Sequence, residues 1–271
     1  MRDRGGAGTA GVVAAAGVMV AALLTASCAP PNPGTVPFDA THKRRALQLI
    51  SVFENGTAEP QYGYVEDLGD GRGYTCGLGF TTATGDALEV VQRYTDEVPD
   101  NELAPLVPLL AERAADESGD TSGLEGFPAA WAAAADDQRF QAAQEAVQDD
   151  NSYTPALTHL RVVGLGSALG LMLLYDAVWM HGDGDDDDGV PALIARVPSS
   201  IAAAADERGW LGSFLDVRRA DLARAADADT REVWAEAVGR VDVLRDLLDA
   251  GNLAFDGPIV VGHGYGDVRV P

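Results

Sequence analysis

A short uncharged stretch in the second half of the chain limits what the chain can fold into. It covers residues 162–175, lies between Arg161 and Asp176, and consists mainly of apolar and small side chains. A helix that crosses a bilayer needs about 20 apolar residues, and this stretch offers 14 between two charges. We therefore expect the buried central helix of a globular domain here.

Other helices are expected around it, each bounded by Gly, Pro or Asp. A chain of 271 residues that is 46% hydrophobic can bury a sizeable core. Alternating apolar residues on either side of the glycine-rich segment 69–73 predict a small β element. The expected fold class is therefore mainly α, in an α+β arrangement, with helices at 86–94, 103–115, 136–147, 155–180, 191–206, 211–226 and 230–250.

Glu54 closes the first amphipathic helix, which begins near His42. Leu47, Ile50 and Glu54 follow one another at helical spacing, so the carboxyl group continues an apolar stripe. Beside Phe53 and away from bulk water, the charged form would be disfavoured, as a proton donor near neutrality requires. A glutamate at a helix end that faces solvent is the alternative.

Asp70 stands in a loop with Gly69, Gly71 and Gly73, two residues before Arg72. Glycines let the backbone approach a ligand closely, and the arginine favours the ionised carboxylate. Two carboxyl groups in such different surroundings form the general pattern of a catalytic acid and base. A Gly-Asp-Gly turn between two strands would explain the same residues without catalysis.

The two carboxyl groups belong to a series of short motifs along the chain. These are Phe53-Glu54-Asn55, QYGYVEDLGDGRGYT at 61–75, GLGF at 77–80, TGDALE at 84–89, YDAVWMHG at 175–182, FLDVR at 214–218, RVD at 240–242 and AGNL at 250–253. The motifs resemble those of the chitosanases of glycoside hydrolase family 46. The resemblance extends in family order from about residue 42 to 253, so it covers the whole expected domain.

The resemblance implies a lysozyme-like fold of two helical lobes, with the β element lining a substrate cleft. It also implies inverting endo-hydrolysis of β-1,4-glucosamine linkages in chitosan without a cofactor or metal. Glu54 would be the general acid, Asp70 the general base, and Thr75 the hydroxyl that helps hold the attacking water. An inverting enzyme needs room for that water, so we expect the carboxyl groups to lie about 6.5–9.5 Å apart.

Substrate contacts are implied at Tyr64, Arg72, Asp86 and His181. Asp86 matches a carboxylate that receives a glucosamine amine, although its position also suits a helix N-cap. Tyr64 could instead serve packing, and His181 could be a helix-terminal residue.

Charged residues interrupt apolar helical faces at Asp176, Arg218 and Arg240. Each would be costly to bury alone, so an Asp with two Arg predicts a mutually neutralising cluster. The family has a comparable network that reaches its catalytic acid, and Arg231 is a competing match for the second Arg. A structural ion pair unrelated to catalysis is the alternative.

The amino terminus reads as a secretory signal over residues 1–27, with Arg2 and Arg4 before an apolar stretch. Small residues before Cys28 resemble a bacterial lipobox, so we expect lipidation of Cys28, a Pro/Gly tether over 28–38 and a catalytic domain over 39–271. Cleavage near Ala29 or an uncleaved anchor remain alternatives. The expected location is extracellular, either as a secreted protein or as a lipoprotein attached to the outer face of a bacterial membrane. Cys76 is expected to be an unpaired cysteine that serves as a small packing residue.

The net charge of −23 is unsuited to nucleic acid or anionic lipid and suits a polycation such as chitosan. We expect a monomer that meets a membrane only through its lipid. The acidic run at 183–188 resembles the start of a calcium loop, but Asp188 stands where Gly is needed and Ile194 where Glu is needed. The functional alternatives are a lysozyme-fold enzyme acting on peptidoglycan and a lipoprotein that only binds polycationic sugar.

Overall fold

The computed structural model describes residues 38–224 and 231–271. The expected signal, the lipidation site Cys28 and nearly all of the tether lie outside these residues. The helices are α1 Ala40–Asn55, α2 Asp86–Glu97, α3 Val107–Ala115, α4 Phe127–Ala134, α5 Gln138–Gln148, α6 Thr154–Val163, α7 Ala168–His181, α8 Val190–Ala195, α9 Glu207–Leu222, α10 Arg231–Glu236 and α11 Val238–Asp249. A 3₁₀ turn, Ala104–Leu106, precedes α3, and a π-helical turn, Asp149–Tyr153, joins α5 to α6.

Helix α1 begins and ends at well-defined caps. The Asp39 side chain accepts hydrogen bonds from the backbone N–H groups of Thr41 and His42, at 2.9 and 3.1 Å, and so satisfies donors that the first turn leaves free. At the other end Gly56 adopts a left-handed conformation with φ of 68°, which glycine takes up without steric cost. These caps place Glu54 on the last turn.

A small antiparallel sheet follows α1. It consists of β1 Val65–Asp67, β2 Tyr74–Cys76 and β3 Phe80–Thr81, in that spatial order. Thr75 on the middle strand pairs with Glu66 on one side and Thr81 on the other. Near the carboxyl terminus, β4 Ile259–Val261 and β5 Val268–Val270 form a separate antiparallel pair.

The expected continuous helix over 155–180 is wrong, because the chain breaks between α6 and α7. Gly164 ends α6 in a left-handed conformation with φ of 87°. Ser167 then caps α7 by accepting a hydrogen bond from the N–H of Gly170 at 2.9 Å. Helix α7 is buried along nearly its whole length, so the central helix exists but starts at Ala168.

Other helix predictions also need correction. The helix expected over 191–206 ends at Ala195, since Pro198 disfavours a helical conformation in the residue before it. The helix expected over 230–250 is divided at Ala237 into α10 and α11. Helix α4, rich in alanine and opened by Phe127-Pro128, was not predicted.

Buried apolar side chains form two hydrophobic cores. One is built from α1, α6 to α9, α11 and the β4–β5 pair, and the other from the small sheet and α2 to α5. Trp179 on α7 packs against both cores. Among the described residues, no helix is long and apolar enough to span a membrane.

Candidate active site

A cavity of about 300 Å³ lies between α1, the small sheet and Trp179. Leu47, Ile50 and Glu54 all line it, so the stripe predicted on α1 is the face that borders the cavity. The Glu54 side chain is 41% exposed. Its predicted withdrawal from water beside Phe53 is therefore wrong, because the carboxylate at the helix end reaches solvent and a guanidinium instead.

That guanidinium belongs to Arg240, whose Nη1 donates to Glu54 Oε1 at 2.8 Å. Arg240 is itself buried, and its charged group also lies over the Phe53 ring, 5.1 Å from the ring centre. A buried cation needs compensating anions. The buried Arg240 thus fixes the direction of the Glu54 carboxyl group.

The second anion on Arg240 is Asp176, which is fully buried on α7. Its Oδ1 accepts from Arg240 Nε and Nη2 at 3.1 and 2.8 Å, and its Oδ2 accepts from Arg218 Nη1 at 2.5 Å. Burial alone would raise the pKa of Asp176, but the two arginines hold it below its usual range. The structure thus brings Asp176, Arg218 and Arg240 together, with Arg240 reaching Glu54. The side chain of Arg231, the competing match, lies outside the described part of the chain.

Asp70 lies on the loop between β1 and β2, outside the residues that line the cavity. Its Oδ2 accepts from Arg72 Nε and Nη2 at 2.9 and 2.6 Å, and its Oδ1 accepts from the Arg72 backbone N–H at 3.0 Å. These bonds hold the pKa of Asp70 below its usual range, so the carboxylate is ionised near neutral pH. Arg72 is therefore the electrostatic partner of Asp70, and its side chain remains 55% exposed.

Thr75 contributes an unusual hydroxyl to the cavity wall. Its Oγ1 is buried and has no hydrogen-bond partner within residues 38–224 and 231–271. A buried polar atom without a partner is costly unless a water molecule or ligand satisfies it. Thr75 lines the cavity from β2 and Glu54 lines it from α1, so an open hydroxyl and a carboxyl group come from different elements of the cavity wall.

Asp86 stands at the start of α2 and close to the sheet. Its Oδ1 accepts from the Thr81 N–H, the Thr84 hydroxyl and the N–H of Ala87, at 2.8, 2.7 and 2.9 Å. Burial raises the pKa of Asp86, although these hydrogen bonds act in the opposite direction. Within the described chain no hydrogen bond reaches Oδ2, so one carboxylate oxygen is fixed by the protein and the other is free. The capping position itself is occupied by Gly85, and Asp86 is the first helical residue.

Tyr64 and His181 occupy very different surroundings. Tyr64 lines the cavity, and its hydroxyl donates to Glu66 Oε2 at 2.9 Å. The His181 side chain is completely buried behind the ion cluster, where its Nε2 accepts from Arg218 Nε at 3.2 Å. A direct substrate contact at His181 is therefore wrong for this structure, because protein surrounds the ring.

Trp179 is a cavity residue that the sequence interpretation did not single out. It follows Tyr175 by one helical turn, and the two rings meet edge to face with centres 5.8 Å apart. The spacing indicated only a buried helical face. What it could not show is that α7 presents this ring at the boundary between the two cores.

Within the described residues, no group of three or more His, Cys, Asp or Glu side chains comes together as a metal site. The cluster that does form joins carboxylates to arginines, and arginine carries no lone pair for a metal. The cavity is thus lined by a fixed carboxyl group and a buried hydroxyl, and the ionised carboxylate of Asp70 lies on the β1–β2 loop outside this lining.

Comparison with known proteins adds independent information. A model of glycosyl hydrolase family 46 matches residues 48–259 of this chain. A chitosanase of Bacillus subtilis (strain 168) is 52% identical over 231 residues, which are 83% of this chain and 83% of that protein. A chitosanase of Streptomyces sp. (strain N174) is 40% identical over 241 residues, which are 86% of this chain and 83% of that protein.

Solved chitosanase structures are also similar to this chain. A variant chitosanase from Bacillus subtilis MY002, in complex with 6 GlcN, superposes with a TM-score of 0.78 at 50% identity and covers 86% of this chain and 99% of its own. A GH46 chitosanase from Gynuella sunshinyii, in complex with chitotetraose, gives a TM-score of 0.77 at 43% identity, over 86% and 98% of the two chains. These matches confirm the mainly helical, lysozyme-like fold expected from the sequence.

Proposed function

This chain belongs to glycosyl hydrolase family 46, and we propose that it is a chitosanase that cuts β-1,4-glucosamine linkages within chitosan. The relatives named above are chitosanases, and solved relatives hold glucosamine oligomers. We further propose that it is endo-acting and inverts the anomeric configuration.

The observation that carries the proposal is that a fixed carboxyl group and an unpartnered hydroxyl line the same cavity. Glu54, directed by Arg240, stands on one wall, and the unpartnered hydroxyl of Thr75 stands on another. A fixed carboxyl group suits protonation of a leaving oxygen, and a buried hydroxyl suits retention of a water molecule. Hydrolysis of a glycosidic bond needs both at once.

In the proposed mechanism Glu54 donates a proton to the glycosidic oxygen as the bond to the anomeric carbon breaks. Water held by Thr75 attacks the opposite face of the sugar, and Asp70 accepts a proton from that water. The depressed pKa of Asp70 keeps it ionised and ready to accept a proton over a broad pH range. A single displacement of this kind inverts the anomeric carbon and forms no covalent intermediate.

Substrate preference is proposed to rest on charge. Chitosan is a polycation when its amines are protonated, and a chain with a net charge of −23 attracts polycations. The free Oδ2 of Asp86 would accept a charge-assisted hydrogen bond from one glucosamine ammonium group. An acetylated amine carries no charge, so Asp86 would favour deacetylated units.

The test compares Glu54→Gln with wild type on chitosan, chitin and peptidoglycan. Reducing ends report bond cleavage, solution viscosity reports internal cleavage, and mass spectrometry identifies the products. We expect wild type to lower chitosan viscosity well before many reducing ends accumulate, and Glu54→Gln to lose at least about a thousandfold in rate, since no proton donor remains. Glu102→Gln, an exposed glutamate between α2 and α3, is the matched control and should keep full activity.

Each other outcome would reject the assignment. Anhydro-muropeptides from peptidoglycan would identify an enzyme that acts on that polymer. Binding of chitosan without turnover would identify a sugar-binding protein. Retention of most activity by Glu54→Gln would remove Glu54 as the acid.

Outside the described residues, we propose that the signal over 1–27 exports the protein and that Cys28 carries lipid. The catalytic domain would then act outside the cell as a monomer on a short tether. Wild type should partition into detergent and label with a fatty-acid analogue, and Cys28→Ala should do neither. Equal labelling of both would show that Cys28 is not the lipidation site.

A further inference from the structure

His181 lies at the end of the ion cluster furthest from Glu54. Its ring is buried, and its two nitrogens face different partners. Nε2 is 3.2 Å from Arg218 Nε. Nδ1 is 3.8 Å from Asp221 Oδ2, and both of these atoms are buried without a hydrogen-bond partner among the described residues.

These contacts define the proton position on the ring. Arg218 Nε is always a donor, so His181 Nε2 must accept and can carry no hydrogen. The proton of the neutral ring is then on Nδ1, and the nearest carboxylate oxygen among the described residues is Asp221 Oδ2. The two unpartnered atoms are thus a donor and an acceptor 3.8 Å apart.

A neutral ring suits this location better than a charged one. Burial lowers the pKa of His181 to about 3, and the adjacent Arg218 cation acts in the same direction. A protonated ring would place an N–H against the N–H of Arg218 and add a third buried cation to Arg218 and Arg240. The charged groups that face the ring are Arg218 and Asp221 on α9, Asp176 on its own helix and Arg240 on α11, with the backbone of Asp188 beside it.

Among the described residues, His181 is the only acceptor that Arg218 Nε meets. Its Nη1 donates to Asp176 Oδ2 at 2.5 Å and its Nη2 donates to the Asp176 carbonyl oxygen at 3.3 Å. His181 therefore accepts from the remaining nitrogen of the guanidinium, Nε. This contact fixes the orientation in which Arg218 holds Asp176. Asp176 in turn holds Arg240 at 2.8 Å, and Arg240 holds Glu54 at 2.8 Å.

We infer that His181 is a positioning residue for the catalytic acid, acting through Arg218, Asp176 and Arg240, and that Asp221 fixes the tautomer in which it does so. The inference deepens the proposed function and rests on it. Asp221 is itself anchored, because Arg196 Nη1 lies 2.7 Å from its Oδ1. The chain of contacts thus extends from Glu54 at the cavity to Arg196, the residue that follows α8.

The experiment compares His181→Leu, His181→Gln and Asp221→Asn with wild type on soluble chitosan. Leu removes the acceptor for Arg218, whereas the Gln side-chain oxygen can replace Nε2. As a control, His159→Gln removes another histidine–aspartate contact, the one between His159 and Asp183, whose side chains bond to no member of the ion cluster among the described residues. Measured quantities are kcat, KM, the pH profile of kcat and the melting temperature.

We expect His181→Leu to lower kcat roughly tenfold, within the range that substitutions along a coupled chain produce. Its KM should stay within about twofold, because the ring does not touch the cavity. A weaker hold of Arg240 on Glu54 changes the electrostatic surroundings of the acid, so the alkaline limb of the pH profile of kcat should move relative to wild type. His181→Gln should recover most of kcat, Asp221→Asn should show a smaller shift in the same direction, and His159→Gln should match wild type.

Several results would overturn the inference. One is wild-type kinetics in His181→Leu, and another is a raised KM at unchanged kcat, which would indicate a substrate contact. A loss in His181→Gln as large as in His181→Leu would remove the acceptor role. A lower melting temperature of His181→Leu with an unchanged pH profile would indicate that His181 has only a structural role. If His181→Leu does not fold, an unshifted profile in Asp221→Asn rejects the inference. Failure of wild type to cleave chitosan would instead reject the proposed function.

Discussion

Replacing Asp176 by Asn tests whether the buried ion cluster supports the fold as well as the acid. The substitution keeps the shape of the side chain and removes its charge. Asp176 is fully buried and accepts hydrogen bonds from two buried guanidinium groups. In the variant, Arg240 would keep Glu54 as its charged partner, Arg218 would lose the carboxylate of its ion pair, and the new amide N–H₂ group would face donors.

Removal of one partner from a buried ion pair costs about 3–5 kcal/mol. Asn keeps one oxygen as an acceptor, so we expect a loss near the lower end, about 3 kcal/mol. For a domain of this size each kcal/mol corresponds to roughly 2–4 °C in melting temperature, which gives a decrease of roughly 6–12 °C. Activity should fall as well, because Arg240 loses the anion that holds it beside Glu54.

The pH dependence of the loss has a definite sign. The pKa of Asp176 is depressed in the folded protein, so its contribution is present above the unfolded value, about 3.9, and is lost as the pH falls through the folded value. The difference in unfolding free energy between wild type and Asp176→Asn should therefore be full at pH 7 and narrow below about pH 4.

Urea unfolding at pH 7, 5 and 3.5 measures these differences. The matched control is Asp216→Asn, which breaks a surface pair with Arg245 in which the aspartate is 76% exposed. Exposed pairs contribute about 0–1 kcal/mol, so the control should stay close to wild type. A loss below about 1 kcal/mol for Asp176→Asn at pH 7, or a loss that grows as the pH falls, would refute the reasoning.

Three further substitutions test the cavity. Thr75→Val keeps the shape of the side chain and removes the hydroxyl, so kcat should fall roughly tenfold to a hundredfold with little change in the melting temperature; an unchanged kcat would show that Thr75 holds no water. Asp86→Ala should reduce kcat/KM far more on fully deacetylated chitosan than on partly acetylated chitosan, and equal losses would exclude amine recognition. Arg72→Met removes the cation that depresses the pKa of Asp70, so the acidic limb of the pH–rate profile should move to higher pH; an unmoved limb would separate Arg72 from the base.

Local sequence patterns predicted the parts of the site that depend on one element. The spacing of Leu47, Ile50 and Glu54 identified the face of α1 that borders the cavity. Gly and Arg residues around Asp70 indicated an ionised carboxylate, and the pKa of Asp70 is indeed lowered by Arg72. Each of these results follows from neighbours within a few positions in the chain.

Properties that depend on distant partners were harder to predict. The hydrogen bond that directs Glu54 comes from Arg240, which is 186 positions away along the chain. His181 matched a cleft position by sequence, yet α9 covers its ring with Arg218 and Asp221. No periodicity within α7 distinguishes a histidine that meets solvent from one that meets another helix.

The predicted helix limits were wrong where apolar neighbours were given more weight than a residue that stops or caps a helix. Gly164 and Ser167 are a normal stop and a normal cap, but the apolar residues around them predicted one continuous helix. Pro198 likewise ended α8 earlier than its alanine-rich surroundings suggested. The resemblance to a family, which uses motifs from the whole chain, was what fixed the overall architecture.

The proposed reaction is a single displacement in which Glu54 is the acid and Asp70 activates water. Time-resolved proton NMR of the first product from a β-linked glucosamine oligomer tests it most directly, because the anomeric protons of the two product forms resolve before mutarotation. We expect the α-anomer to appear first, as inversion of a β-linkage requires. Initial appearance of the β-anomer would mean retention through a covalent intermediate and would contradict it.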